Sequence, residues 1–265
     1  MMQLVLSLFP GIDLFGRGFE DEGFSVVRGP DLIFGGDVVR FHTPPGRFDG
    51  VIGGSPCPDF SKARRGAPSG EGLRLLGEFR RVVLEARPQW WLLENVPGCP
   101  DLHIDGYGHQ RIDLDARDVG MQQRRLRHFQ FGHVDSVPLV LPRSASARIG
   151  GDATCLASES GRLQRRDWGR FCELQGLPRS FDLPSFTLSA RYRAVGNGVP
   201  VPMAQFMARA IRKLGAFACV RLCSCGCARP VEGKAVYAGP SCRKRVQRKR
   251  DCSIVADGRP VTVTD

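Results

Sequence analysis

FDGVIGGSPCP, residues 48–58, runs from an apolar stretch through two glycines to a cysteine held between two prolines. FDGVIGG reads as a short buried strand, and Pro56 and Pro58 restrict the backbone on either side of Cys57. In an open sheet of parallel strands that cysteine stands at a carboxyl end, on the edge where such sheets bind ligands. Two readings are open at this point: a nucleophile presented on a rigid loop, or one of ten cysteines in an ordinary core.

Outward from this stretch, similar runs recur at LVLSLF (4–9), FSVVRG (24–29), WWLLENV (90–96) and HFQFGHV (128–134), each a strand candidate. Between them, GEGLRLLGEFRRVVLEARP places Leu73, Leu76, Phe79, Val83 and Leu84 at helical spacing with charges opposite, and Pro88 ends the pattern. Strands alternating with covering helices predict an α/β fold, a Rossmann-like, mostly parallel doubly wound sheet. From 135 to 170 periodicity fades among arginines and glycines, which predicts an insert or separate lobe. Met203, Phe206, Met207, Ala210, Ile211 and Leu214 then share one face of a helix that Gly215 is placed to close. The organisation expected is a core over 1–134, an insert over 135–170, a return to the core over 171–215, and a cysteine-rich basic tail over 216–265.

The chain has 265 residues and 42% hydrophobic content, enough for one sizeable core. Its 38 Lys+Arg against 27 Asp+Glu give +11, which favours a polyanionic partner such as nucleic acid. Arginine dominates those cations, as phosphate recognition or a GC-rich coding bias would each produce. No apolar run is long enough for a membrane span, and MMQLVLSLFPGID lacks the features of a leader, so a cytoplasmic protein is expected. In that compartment cysteines are thiols, metal ligands or catalytic groups rather than disulfides.

The chemistry gathers at strand ends. SLFPGIDLFGRGFE is a strand, a glycine-bearing loop and the start of a helix, a turn that suits a nucleotide-like ligand or serves as a tight connection. Asp31 and Asp37 follow the second strand, where carboxylates accept bonds from ribose hydroxyls or sit as solvated turn residues. Glu94, after four apolar residues, should project into the same crevice as Cys57. Arg125 and Arg127 lead into a strand at alternate positions, so both guanidinium groups should face one side, toward phosphate or a base carbonyl.

Taken together these segments resemble the DNA (cytosine-5) methyltransferases of bacterial and phage type. SLFPGIDLFGRGFE is similar to that family's cofactor-loop motif, GGSPCPDFS to its Pro-Cys-Gln nucleophile loop, and LENVPG to its Glu-Asn-Val motif. QQRRLRHFQFG keeps the Gln-x-Arg-x-Arg spacing at Gln123, Arg125 and Arg127. ELQGLPRSF resembles the penultimate motif and RAVGNGVPVPMAQ the closing Gly-Asn-x-Val motif, all in the family's order. The resemblance implies the S-adenosylmethionine-dependent methyltransferase fold, with 135–170 as a small target-recognition region. It implies Cys57, Glu94, Arg125 and Arg127 as catalytic residues. For S-adenosylmethionine it implies Phe9, Gly11, Ile12, Asp31, Asp37, Val38, Pro56, Asn197 and Val199. The substrate implied is a cytosine flipped out of duplex DNA.

Two departures bear on that expectation. Asp13 stands where the cofactor loop has a second glycine, and would crowd the methionine moiety unless Gly16 and Gly18 take over its part. Pro58 replaces the glutamine after the nucleophile, which bears on rate and DNA affinity. An RNA cytosine methyltransferase and a catalytically inactive DNA-binding module are the alternatives to a DNA enzyme. The tail admits two readings of its own: a zinc knuckle on Cys223, Cys225, Cys227 and Cys242, with Cys219 and Cys252 as substitutes, or a flexible basic tail with free thiols. Six of the eight residues from Arg243 to Arg250 are cationic, which adds phosphate affinity with little sequence information. A monomer acting on double-stranded DNA, away from membranes, is the expected state.

Overall fold

The computed structural model describes residues 2–56, 58–61, 66–141, 151–152 and 154–214, and in the tail 223–225, 227, 229, 231 and 235–256. Cys57, Gly215 and Cys219, each singled out above, lie outside the described residues, as does the side chain of Cys252.

Six strands form one sheet: β1 (Leu4–Leu8), β2 (Ser25–Arg28), β3 (Gly50–Gly53), β4 (Trp90–Asn95), β5 (Gln110–Asp115) and β6 (Leu126–His133). Their order is β2-β1-β3-β4-β6-β5. The first four run parallel, while β6 is antiparallel to both β4 and β5. The mostly parallel doubly wound sheet is therefore present, and strand order reverses between β1 and β3, where such sheets open a crevice at their carboxyl ends. β5 was not among the expected strands. Its Ile112 and Leu114 are buried while Arg111 and Asp113 alternate with them, which is how a half-polar edge strand reads.

Alternation along the strands divides the core into two layers. Val5, Ile52, Trp90, Leu92 and Phe129 face α1 (Leu14–Glu20) and α5 (Val201–Arg212). Leu6, Val51, Trp91 and Leu93 face α2 (Glu71–Ala86). Leu76, Phe79 and Val83 of α2 are buried as spaced, each contributing roughly 1.5–3 kcal/mol. Leu73 departs from the expected stripe: it lies in the first turn and is 59% exposed. The helix ends at Arg87, which adopts the left-handed conformation just before Pro88. α1 and α5 approach so closely that a Cβ on Gly18 would stand 2.4 Å from that of Ala204.

A third cluster joins Leu14 to α3 (Trp168–Leu174) and α4 (Leu188–Asn197) through Phe171, Tyr192 and Val195. The described part of 135–170 is laid onto this body. Leu139 and Leu141 are buried in the first core layer, and Cys155 lies in the third cluster. Asp152 meets Arg170 at 2.7 Å, and Glu159 meets Arg166 at 2.6 Å. These residues are held by the core rather than standing in a lobe of their own. α6 (Pro240–Ala256) follows the cysteine-rich segment.

Candidate active site

A cavity of about 990 Å³ opens at the carboxyl ends of β1, β3 and β4. Phe9, Gly11 and Ile12 contribute from the turn after β1, Asp31, Asp37 and Val38 from the loop after β2, and Pro56 from the loop after β3. Glu94 projects from β4, Arg127 from β6, and Asn197 and Val199 from the end of α4. The nine residues expected around a cofactor thus share one wall system with Glu94 and Arg127.

The turn after β1 is tight: Phe9, Gly11 and Asp13 all have φ near 55°. The Gly11 N–H donates to Asp31 Oδ2 at 2.7 Å, and Ile33 N–H to Asp31 Oδ1 at 2.9 Å. Asp37 accepts from Val39 N–H at 3.0 Å. Both carboxylates shape their loop and keep further acceptor sites, since each carries about four. Asp13 is buried and caps α1, accepting from Gly16 N–H and from the Ser7 hydroxyl, each at 2.9 Å. Its second oxygen faces Arg28 Nε at 3.1 Å, while burial pushes its carboxyl above the usual range.

The expectation that Gly16 and Gly18 would stand in for a loop glycine is corrected. A Cβ on Gly16 would lie 2.2 Å from Asp13 Oδ2, and Gly18 faces α5. Gly16 makes room for the carboxylate and Gly18 for a helix, and neither lines the cavity.

Glu94 is 7% exposed and its Oε1 lies 2.8 Å from Arg127 Nε. Burial raises its carboxyl above the ordinary range, against the pull of Arg127, Arg125 and His128. A Cβ on Gly54 would stand 3.2 Å from Glu94 Oε2, so the chain leaving β3 passes directly beside this carboxyl on its way to position 57. Asn95 Nδ2 donates to the Ser55 carbonyl at 3.2 Å and to its Oγ at 3.0 Å, tying that loop to the end of β4. Asn95 and Ser55 were not picked as site residues. The signal lay in LENVPG, where the asparagine follows the acid.

Arg125 departs from expectation. β6 begins only at Leu126, so strand alternation does not extend to Arg125, and the two arginines diverge. Arg125 is 1% exposed and donates to the carbonyls of Cys155, Gly196 and Gly198 at 3.0, 2.9 and 3.0 Å. It braces the wall from behind rather than lining it.

In the tail, the Sγ atoms of Cys223, Cys225, Cys227 and Cys242 lie within 4.8 Å of one another, all buried. Cys223 and Cys225 are 3.5 Å apart, Cys227 and Cys242 3.9 Å. Arg229 donates to Cys242 Sγ at 2.7 Å and to Cys227 Sγ at 3.2 Å.

Residues 37–147 match the family model for C-5 cytosine-specific DNA methylases. The Type II methyltransferase M.HgiDI of Herpetosiphon aurantiacus is 32% identical over 165 residues, 48% of this chain and 51% of that protein. Type II methyltransferase M.XorII of Xanthomonas oryzae is 27% identical to this chain over 207 residues, 62% of it and 49% of the relative. The chain spans about half the length of such curated relatives. Among solved structures, Entamoeba histolytica methyltransferase EhMeth superposes with a TM-score of 0.61 at 10% identity, covering 80% of this chain and 99% of that one. S. pombe Dnmt2 methyltransferase gives 0.56 at 12%, covering 81% and 100%. Both likenesses concern the fold alone, a Rossmann-like methyltransferase fold. Among the described residues no helix is long and apolar enough to cross a membrane.

Proposed function

We propose that this chain is a C-5 cytosine-specific DNA methylase, which transfers a methyl group from S-adenosylmethionine to C5 of a cytosine extruded from duplex DNA, through a covalent bond between Cys57 and C6. The observation that carries the reading is the Glu94–Arg127 pair beside the loop that leads to Cys57, in a cavity shared with the β1 turn and Asp31. At about 990 Å³ the cavity lies at the upper end of the roughly 300–1,000 Å³ of ligand sites, which suits a nucleoside cofactor and an extruded base together. Phe9, Gly11, Ile12, Asp31, Asp37, Val38, Pro56, Asn197 and Val199 would hold the cofactor. When bound, it supplies an electrophilic methyl group on a sulfonium.

Cytosine C5 is too weak a nucleophile to take that methyl unaided. In the proposed step the Cys57 thiolate forms a bond to C6, the C5=C6 pair shifts to C4–C5, the C4=N3 pair moves onto N3, and Glu94 gives N3 a proton. A carboxyl raised by burial keeps a proton available for this transfer. Arg127, held against Glu94, fixes its direction. Once C5 carries the methyl, N3 returns its proton to Glu94, and loss of the C5 proton restores the C5=C6 double bond and expels the thiolate. Arg125 enters as a brace for the Asn197 wall.

Residues 1–134 and 171–215 form the catalytic core in this reading, and 135–170 reads the target. So small a recognition region implies a short or loosely defined site, which methylation mapping would contradict by finding five or more fixed bases. The enzyme acts as a cytoplasmic monomer. The tail cysteines would hold a structural zinc ion: tetrahedral Zn–S bonds of about 2.3 Å set sulfurs roughly 3.8 Å apart, close to the spacing here. Arg229 offsets the charge of the thiolates. Metal analysis of the full chain should return one zinc, lost with Cys242→Ser, and absence of bound metal in the wild type would refute the site.

The central test uses duplex DNA containing 5-fluorocytosine. The wild type should form a cofactor-dependent covalent adduct and Cys57→Ser none. If the wild type traps nothing on any duplex, the proposed chemistry is wrong.

A further inference from the structure

α4 presents Ala190, Arg193, Ala194 and Asn197 to the cavity, the spacing of one helical face, while Tyr192 and Val195 are buried in the cluster behind. Arg193 is exposed. The other charges on the cavity wall are already engaged. Glu71 pairs with Arg74 at 2.6 Å and Glu94 with Arg127 at 2.8 Å. Asp13, Asp31 and Asp37 accept backbone N–H groups. Among the described residues Arg193 makes no hydrogen bond or ion pair. The alanines beside it offer no competing polar group, so its planar fork stands unneutralised at the cavity rim.

A guanidinium in that position takes an oxyanion, and two parallel N–H groups match the oxygens of a phosphate. We propose that Arg193 grips a DNA backbone phosphate beside the extruded cytosine, and so positions the nucleotide over Glu94. The inference rests on the methyl-transfer reading for the identity of the base. The phosphate is preferred to the cofactor's carboxylate because Arg193 is exposed at the rim, where a polymer passes.

The test compares the full-length wild type with Arg193→Gln and Arg193→Lys. Binding to duplexes of unrelated sequence is followed by fluorescence anisotropy over a salt series, and binding of S-adenosylhomocysteine by calorimetry. Losing one phosphate contact should weaken DNA binding about 3- to 10-fold on every duplex and lower the slope of log K against log salt by about one. Arg193→Lys should regain most of that slope, because it keeps the charge. Cofactor-product affinity should stay at the wild-type value in both variants. A wild-type salt slope in Arg193→Gln overturns the proposal. Weakened S-adenosylhomocysteine binding with the slope unchanged overturns it in favour of the cofactor's carboxylate. These binding readouts do not depend on turnover, so failure of 5-fluorocytosine trapping in the wild type would strike the methyl-transfer reading separately.

Discussion

Replacing Arg125 distinguishes a brace from a catalytic group. Its guanidinium donates to three carbonyls, those of Cys155, Gly196 and Gly198, at 2.9–3.0 Å from a site 1% exposed. Hydrogen bonds from a charged donor contribute about 1.5–3 kcal/mol each, so three add up to roughly 4.5–9 kcal/mol. They share one side chain, and the Gly198 carbonyl lies in a partly buried bond that water can replace in part, so the sum overstates the loss. We expect Arg125→Met to cost about 4–5 kcal/mol. At about 2–4 °C per kcal/mol for a chain of this size, thermal unfolding followed by circular dichroism should fall by roughly 10–15 °C. Below that transition the weakened wall should raise KM for S-adenosylmethionine, since Gly196 and Gly198 flank Asn197. The reasoning fails if Arg125→Met melts within about 2 °C of the wild type, a shift of less than 1 kcal/mol. Lost activity without lost stability would return Arg125 to the role expected from the sequence.

Three further substitutions follow from the packing and charge. Gly18→Ala would force its Cβ to 2.4 Å from Ala204, and should lower stability by about 1–3 kcal/mol in chemical denaturation, with Gly18→Ala/Ala204→Gly recovering part. Asp13→Gly removes left-handed strain but also an N-cap, so a net loss of about 1–2 kcal/mol is expected in the same assay; a more stable variant would show that Asp13 is not structural. Glu94 has a carboxyl raised above 4.5 in the folded protein, so its contribution to stability is full below that value and is lost as pH rises through the raised one. Wild-type stability relative to Glu94→Gln should therefore decline from acid toward neutral pH, and a difference flat across that range would contradict the burial argument.

How far the sequence discloses this molecule varies by element. β1, β3 and β4 are legible because each is a short run buried on both faces, β2 by its pair of valines although it lies half-exposed at the edge, and α2 and α5 because their apolar residues recur at helical spacing. β5 escapes that reading: Ile112 and Leu114 alternate with Arg111 and Asp113, and a half-polar edge strand carries little hydrophobic signal. Arg125 escapes for a different reason. Its role depends on carbonyls 30 to 73 residues away in sequence, and no local period encodes a convergence of that range. Tail residues Cys223, Cys225, Cys227 and Cys242 were legible by residue type alone, although the tight C-x-C-x-C spacing left their mutual approach open. Between an insert and a separate lobe the sequence of 135–170 does not decide, because loss of periodicity marks irregular backbone, which can still bury Leu139, Leu141 and Cys155 against a core.

Charge is distributed unevenly between the chain and its cavity. The chain as a whole carries +11, while the described residues that line the cavity include five carboxyl groups and three guanidinium groups. A polyanion is drawn to the outer surface, over a range set by ionic strength, and inside, burial raises two of those carboxyls, Asp13 and Glu94, above their ordinary range. Asp13 does not stand as an isolated buried charge, because Ser7, Gly16 and Arg28 each meet one of its oxygens. One carboxylate thereby joins the end of β1, the first turn of α1 and the tip of β2, and closes the turn between them. Hydrogen bonds fix the backbone of this turn, and among the described residues that line the cavity Gly11 is the glycine at positive φ.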